Sequence, residues 1–437
     1  MIESVLNESG ATPNEERGGE WLIAQRIGFR FVALFALLFM LTLPFPHHFL
    51  PDTGELLRPL FEPLASWTGR NVFGYGEGFF SPLLSDTTGL YIHLFDLLVI
   101  SILFTGIWSL VDRNRKEYRR ALYWLVVIAS YYLALQLLDY GFNKVFKWQF
   151  YLPEPNTLFT TVGETPRDLL YWSTMGASRP YTIFAGIMEV VAALLLLFRR
   201  TRTFGAIVAC GVMVNVVAIN FSFDISVKVH STFLLFLSLL VLAPEVPRLF
   251  NLFFRPSHLA VGRDGSTLRK SSRRSADSIT TIAKGMIIPL LLFDTLSPYV
   301  LSGNFNDDAA PRPPLHGAYE VVEFTKGGES IPPLTTAEHR WRRLFVHRRG
   351  YMIVQGMDDK MKDYALRVDT EGKRFLLSDP RSKENSTLDY VEIDLDNLIV
   401  RGRVGSDSIK VRLRKIDLRS LPLLQNEFHW SIDPRSE

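Results

Sequence analysis

The stretch GIMEVVAALLLLFRRTRTFGAIVACGVMVNVVAINF, residues 186–221, holds two apolar runs separated by the basic break RRTR at 199–202. A helix needs roughly 20 mostly apolar residues to cross a bilayer, where no water can satisfy an open backbone. Four residues with three arginines do not enter hydrocarbon, so the stretch reads as a helical hairpin that turns at a membrane surface. Applied outward from there, the same test gives about seven candidate spans, near 29–49, 92–111, 121–142, 181–198, 204–222, 229–246 and 279–300.

The whole chain of 437 residues is 47% hydrophobic, 13% aromatic and 21% charged, toward the membrane side of an ordinary globular composition. That average joins two unlike parts. Residues 28–300 carry the long apolar runs, and 301–437 are polar sequence with many charges. Residues 1–27 are acidic and polar, not a basic leader, and are expected to form a cytoplasmic tail before a retained first span. The net charge of +3 falls in short clusters between apolar segments, the pattern of membrane orientation and not of nucleic-acid binding. Cys210 stands alone, which excludes an internal disulfide and a CxxC redox pair.

Orientation follows from the linkers. DRNRKEYRR at 112–120, RRTR at 199–202 and RPSHLAVGRDGSTLRKSSRR at 255–274 are the basic ones and belong on the cytoplasmic side. Residues 301–437 then lie outside a plasma membrane of the bacterial inner-membrane type. Within 51–91, GELLRPLFEPLASWTGRNVFG mixes Leu, Phe and Trp with isolated charges, and fits an interfacial helix better than a span. The tail alternates β-branched or aromatic residues with polar ones in about eight segments, from GAYEVVEF to SIKVRLRKIDL, divided by turn signals such as KGG and TEGK. The expected fold class is therefore a membrane all-α bundle followed by a small antiparallel all-β extracytoplasmic domain, a barrel or a sandwich. A capping-box pattern, Thr335 with Glu338, predicts a short helix over 335–341.

Candidate chemistry comes from polar groups inside apolar runs. LLDYGFNKVFKWQFYLPEP, 137–155, continues the third span, and at about 100° per residue it places Gln136, Asp139, Asn143 and Lys147 on one stripe with Lys144 beside it. Such a stripe is costly against lipid and should face other helices or a wet cavity. Asp96, His93, Glu189, Asn215, Asn220, Asp224, Lys228, His230 and Asp294 lie at similar depth or at the mouths of other spans, on the side away from the basic linkers. Glu189 lies mid-span, where burial opposes its charge. These positions predict a polar cavity that opens outward. The histidines have neither the spacing of a metal site nor a haem-attachment motif.

From DYGFNKVFKWQF through residues 186–221 to DISVKVHSTFLLFLSLLVLAPEVPRLF, the third to sixth spans resemble DoxX-like membrane proteins: Gly141 and Lys144 at a helix end, Glu189 in the next helix, the basic turn Arg199 to Arg202, and a helix ending near Asn220. The resemblance covers about 130 residues and implies a DoxX-like four-helix unit with quinone-linked oxidation of a small substrate. Lys144 is also similar in place to the lysine base of vitamin K-dependent carboxylase-like membrane domains, which carry a β-rich domain after their helices. From the resemblances together with the depth of the polar groups, Lys144, Glu189 and Asp139 are the expected catalytic groups. Asn143, Lys147, Asn220, Asp224, Lys228, His230, His93 and Asp96 are the expected contacts of a quinone or another small amphiphilic molecule. Two other readings stand beside a quinone-linked oxidoreductase or its membrane subunit: a carboxylase-like enzyme, and a non-enzymatic scaffold or cargo-binding protein. The expected partners are the lipid bilayer, the amphiphile and an extracytoplasmic protein held by the β-domain.

Overall fold

The computed structural model describes residues 20–43, 48–254, 273–379, 384–405, 407–425 and 430. In chain order its helices are α1 (Ile23–Thr42), α2 (Thr53–Asn71), α3 (Thr88–Val111), α4 (Arg119–Val145), α5 (Pro155–Leu158), α6 (Arg167–Ala177), α7 (Arg179–Leu197), α8 (Arg202–Ser222), α9 (Lys228–Leu242), α10 (Val246–Phe254) and α11 (Arg273–Ser302). Among the described residues, seven segments are long and apolar enough to cross a membrane. They match the seven expected from hydropathy, with shifts at their ends. The first helix runs from Ile23 to Thr42 where 29–49 was expected. Pro44, Pro46 and His47 lie outside the described residues.

The chain divides into two compact units: Met1–Asp139 with Glu189–Ser297, and Tyr140–Met188 with Pro298–Glu437. The first unit is helical. Its α3 buries Leu90, Ile92, His93, Asp96, Leu97, Ser101 and Thr105, while Ile102, Leu103, Phe104 and Ile107 are more than half exposed. An apolar exterior of that kind is what hydrocarbon, and not water, accommodates. The amphipathic segment within 51–91 is α2. The Asp52 carboxylate accepts from the Gly54 and Glu55 amides at 2.9 and 3.2 Å, a cap that fixes where the helix starts. Phe61, Ala65 and Thr68 are buried, and Leu56, Leu60 and Trp67 are exposed.

At the basic-linker end of this unit Arg30, buried in α1, donates to the Tyr118 hydroxyl at 2.9 and 2.7 Å, to Ser109 Oγ at 2.7 Å and to the Asp112 carbonyl at 2.9 Å. Tyr118 donates in turn to Asp112 Oδ2 at 2.9 Å. A cation inside an apolar helix thus reaches a carboxylate through a hydroxyl, and all three nitrogens of its planar fork donate.

The second unit contains the β-domain. Its strands are β1 (Gly317–Lys326), β2 (Glu329–Ser330), β3 (Trp341–His347), β4 (Tyr351–Gly356), β5 (Met361–Asp369), β6 (Arg374–Ser378), β7 (Asn385–Glu392), β8 (Asn397–Val404) and β9 (Asp407–Ile416). Every pairing is antiparallel, and β1 also pairs with β9 from Ala318↔Ile416 to Lys326↔Ile409. That pairing closes eight strands into a barrel, with the two-residue β2 attached to β1. Alternation sends Ile409, Val411 and Leu413 inward and Lys410, Arg412 and Arg414 outward along β9. The interior is filled by Leu344, Met352, Phe375, Leu388, Val400 and their neighbours.

The helix expected over 335–341 is absent. Residues 335–340 make consecutive tight turns, with Ala337 N donating to Leu334 O and Arg340 N to Ala337 O, before β3 begins at Trp341. Pro332 and Pro333 hold the chain just before the segment extended, and β3 takes it up at Trp341.

Candidate functional site

In the first unit several of the predicted polar residues make hydrogen bonds between elements. Thr42 Oγ1 donates to Leu38 O at 2.9 Å, so its contact with His93 Nε2 at 2.9 Å uses the imidazole as donor. His93 Nδ1 is then a bare acceptor, fully buried and with no hydrogen-bond partner. One turn on, Asp96 Oδ1 accepts from Thr68 Oγ1 at 2.8 Å, and its Oδ2 is also buried with no hydrogen-bond partner. Residues three apart share a helix face, so α3 presents two orphan acceptors side by side.

The other members tie helices together. Asn220 Nδ2 donates to Ser231 Oγ at 3.0 Å, and His230 Nε2 lies 3.0 Å from Gln136 Oε1. Asp86 caps α9 by accepting from Lys228 N and Val229 N at 2.8 and 3.1 Å. Lys228 Nζ reaches Asp224 Oδ1 at 2.8 Å, and Asp224 itself is exposed at positive φ. Asp294 Oδ1 accepts from the amides of His48, Phe49 and Leu50 at 3.2, 2.6 and 2.9 Å, which makes it a loop cap. Asn215 points to the exposed face of α8. Glu189 is 3% exposed, and Asp139 is half-buried.

In the second unit α4 ends at Val145, so the stripe read at helical pitch stops at Asn143, whose carbonyl accepts from Gln149 N at 2.9 Å. Lys147 has φ 61° and folds back under the chain. Its fully buried ammonium donates to the carbonyls of Phe150 and Gly176 at 2.6 and 2.8 Å and lies 3.7 Å from Asp308 Oδ2. Burial pushes the Lys147 ammonium down from its usual range, and Asp308 works against that shift. Lys144, also buried, sets Nζ 5.5 Å from the centre of the Tyr140 ring and 5.9 Å from that of Phe150. Gly186, three residues before Glu189, lets the backbone of α7 approach α4: a Cβ there would stand 2.6 Å from Gly141 O and 2.8 Å from Lys144 Cβ.

Sequence reading missed a cluster around Glu154. This carboxylate, 4% exposed, accepts from His316 Nε2 at 3.1 Å, from the Arg348 amide at 3.2 Å and from Arg348 Nε, with His347 Nε2 at 3.7 Å. Arg348 also binds Asp307 at 2.5 Å and lies 4.1 Å over the Tyr151 ring. Burial alone would raise the Glu154 carboxyl, but the His316 hydrogen bond and the charges of Arg348 and His347 bring it down to about 2. Burial pushes the His347 imidazole down against the pull of Glu154. His347 Nδ1 accepts from Arg349 N at 3.0 Å, so neither ring nitrogen is left to act as a base. A cavity of about 230 Å³ borders Glu154, His347, Tyr151 and Trp172. The geometry is that of a latch between residues 151–154 and the barrel. Its only local signal is an acid in the turn PEP, since its partners lie far along the chain.

Seven helices of spanning length and hydropathy, followed by a closed antiparallel barrel, give the chain the make-up of a multi-pass membrane protein with an appended β-domain. Over 122 residues, 28% of the chain, it is 34% identical to "Uncharacterized protein YwoB" of Bacillus subtilis (strain 168), and the match covers 77% of that protein; the chain belongs to the family of YwoB. No family model matches the chain, and no solved structure matches it.

Proposed function

We propose that the protein is a plasma-membrane protein of bacterial type whose helical bundle, DoxX-like in plan, binds a quinol or a similar hydroxyl-bearing amphiphile as part of quinone-linked oxidation. The observation that carries this reading is the pair of buried orphan acceptors, His93 Nδ1 and Asp96 Oδ2, on one face of α3. A buried polar atom without a partner costs about 1–3 kcal/mol, so two together favour a ligand that supplies donors. A quinol has two such hydroxyls. On its oxidation His93 and Asp96 are the groups that would take the protons, and the electrons would pass to a separate acceptor protein. The basic linkers at 112–120, 199–202 and 255–274 support a cytoplasmic N-terminus and an extracytoplasmic barrel.

The test is mass spectrometry of small molecules that co-purify with the full-length protein, compared among wild type, His93→Gln, Asp96→Asn, Glu189→Gln and Lys144→Met. A quinone or quinol present in wild type and lost from the α3 variants at unchanged melting temperature is the expected result. One specific observation favours a scaffold instead: Asn220, Gln136, His230 and Asp86 are engaged in ties between elements. On that reading no quinone co-purifies, and the same substitutions lower stability.

A further inference from the structure

The barrel is open at the end formed by the β4–β5 and β8–β9 hairpins, opposite the end at which the chain enters β1 and where the Glu154 latch sits. There the packed interior stops short, leaving a cavity of about 380 Å³ walled by Phe324, Trp341, Val354, Tyr364 and Ile409. Arg340 lines it while only 3% exposed. Its guanidinium donates to the carbonyls of Ile331 and Trp341, both at 3.0 Å, and of Val321 at 3.3 Å. These contacts fill the gap where the β1 and β3 ladders slip register at Val321/Glu323 and Trp341/Arg343. None of the three partners is an anion.

Three rim lysines are matched differently, while Glu338 also lines the cavity. Lys326 pairs with Asp407 at 2.8 Å, Lys360 with Asp358 at 3.2 Å and Lys362 with Asp379 at 3.0 Å. Arg340 is thus the cavity cation whose hydrogen bonds go to neutral carbonyls and to Met357 sulfur. A buried charge held only by dipoles is under-compensated relative to one that faces a carboxylate. Aromatic and aliphatic walls beside such a cation fit a ligand with an anionic head and an apolar body.

We propose that the open end of the barrel binds a small carboxylic acid with an apolar body, its carboxylate directed to Arg340 and its body against Trp341, Phe324 and Tyr364. At the packing density of protein interiors the cavity holds on the order of a dozen non-hydrogen atoms. The filled interior beneath it excludes long chains. This assignment is independent of the quinol reading, because it uses no residue of the bundle.

The test is calorimetric titration of the full-length protein, in nanodiscs, with phenylbutyrate, with its uncharged amide phenylbutyramide and with inorganic phosphate. Saturable binding of the acid, on the order of tenfold or more tighter than either the amide or phosphate, is expected. Val404→Trp, at the β8–β9 end of the cavity wall, should weaken the acid at least tenfold in a protein that still folds. Equal binding of acid and amide, binding of phosphate as tight as that of the acid, absence of saturable binding, or an unaltered affinity in a folded Val404→Trp protein would each overturn the assignment. The comparison of acid with amide needs no variant, so it holds even where Arg340 substitutions fail to fold.

Discussion

Replacing Glu154 by Gln removes one negative charge from a cluster that keeps Arg348, two histidines and Asp307. The carboxyl is held near 2 against 4.5 for a free glutamate, and at about 1.36 kcal/mol per pH unit that difference corresponds to about 3 kcal/mol of stability at neutral pH. For a domain of this size such a loss lowers the melting temperature by roughly 6–12 °C. The sign fixes the pH window. A depressed carboxyl stabilises fully above its unfolded value of 4.5, and that contribution disappears as pH falls through about 2. His347, lowered from 6.5 by burial, acts in the same direction, since the unfolded chain takes up a proton first as pH falls below that value. Thermal melts of full-length wild type and Glu154→Gln, followed by near-UV circular dichroism from pH 7 to pH 3, check both points. The two curves should be well separated at pH 7 and should draw closer toward pH 3. A Glu154→Gln protein that melts within about 2 °C of wild type at pH 7 would refute the latch.

Gly186→Ala should destabilise by about 1–3 kcal/mol, because the added methyl meets the Gly141 carbonyl and the Lys144 side chain; a melt in mild detergent reads it. Asp86→Ala should cost about 1–2 kcal/mol by uncapping α9 and releasing Lys228, while Asp86→Asn should recover much of that, and hydrogen exchange at Lys228 and Val229 reports the cap directly. Arg340→Met should destabilise the barrel by several kcal/mol, since three backbone carbonyls lose their donor, and protease sensitivity of the turn at 331–340 is the measurement.

The spans were legible because a bilayer imposes one crude requirement, length of apolar sequence, and residues 186–221 meet it on both sides of their arginines. The barrel strands were legible from two-residue alternation, most clearly in SIKVRLRKIDL. Closure was not, since eight alternating strands suit a sandwich equally, and only the long-range register of β1 on β9 decides between them. Thr335 and Glu338 misled because a capping box is a local preference that β3 overrides. Lys147 misled because helical pitch was extended two residues past the true end of α4, where a positive φ turns the chain back. At the site, sequence depth picked out His93 and Asp96. It could not show that Thr42 and Thr68 occupy one atom of each and leave the other bare. The Glu154 cluster was invisible for the opposite reason: its acid and its bases are ordinary in sequence and meet only through the fold.

The seam between β1 and β9 also dictates a schedule. Made from the N-terminus onward, the polypeptide exposes β1 with one flank unzipped until the final strand has left the ribosome, and every partial sheet before then has two adhesive margins. Ring formation is therefore a late, all-at-once event. A nascent chain stalled before residue 407 is the form most prone to misassembly.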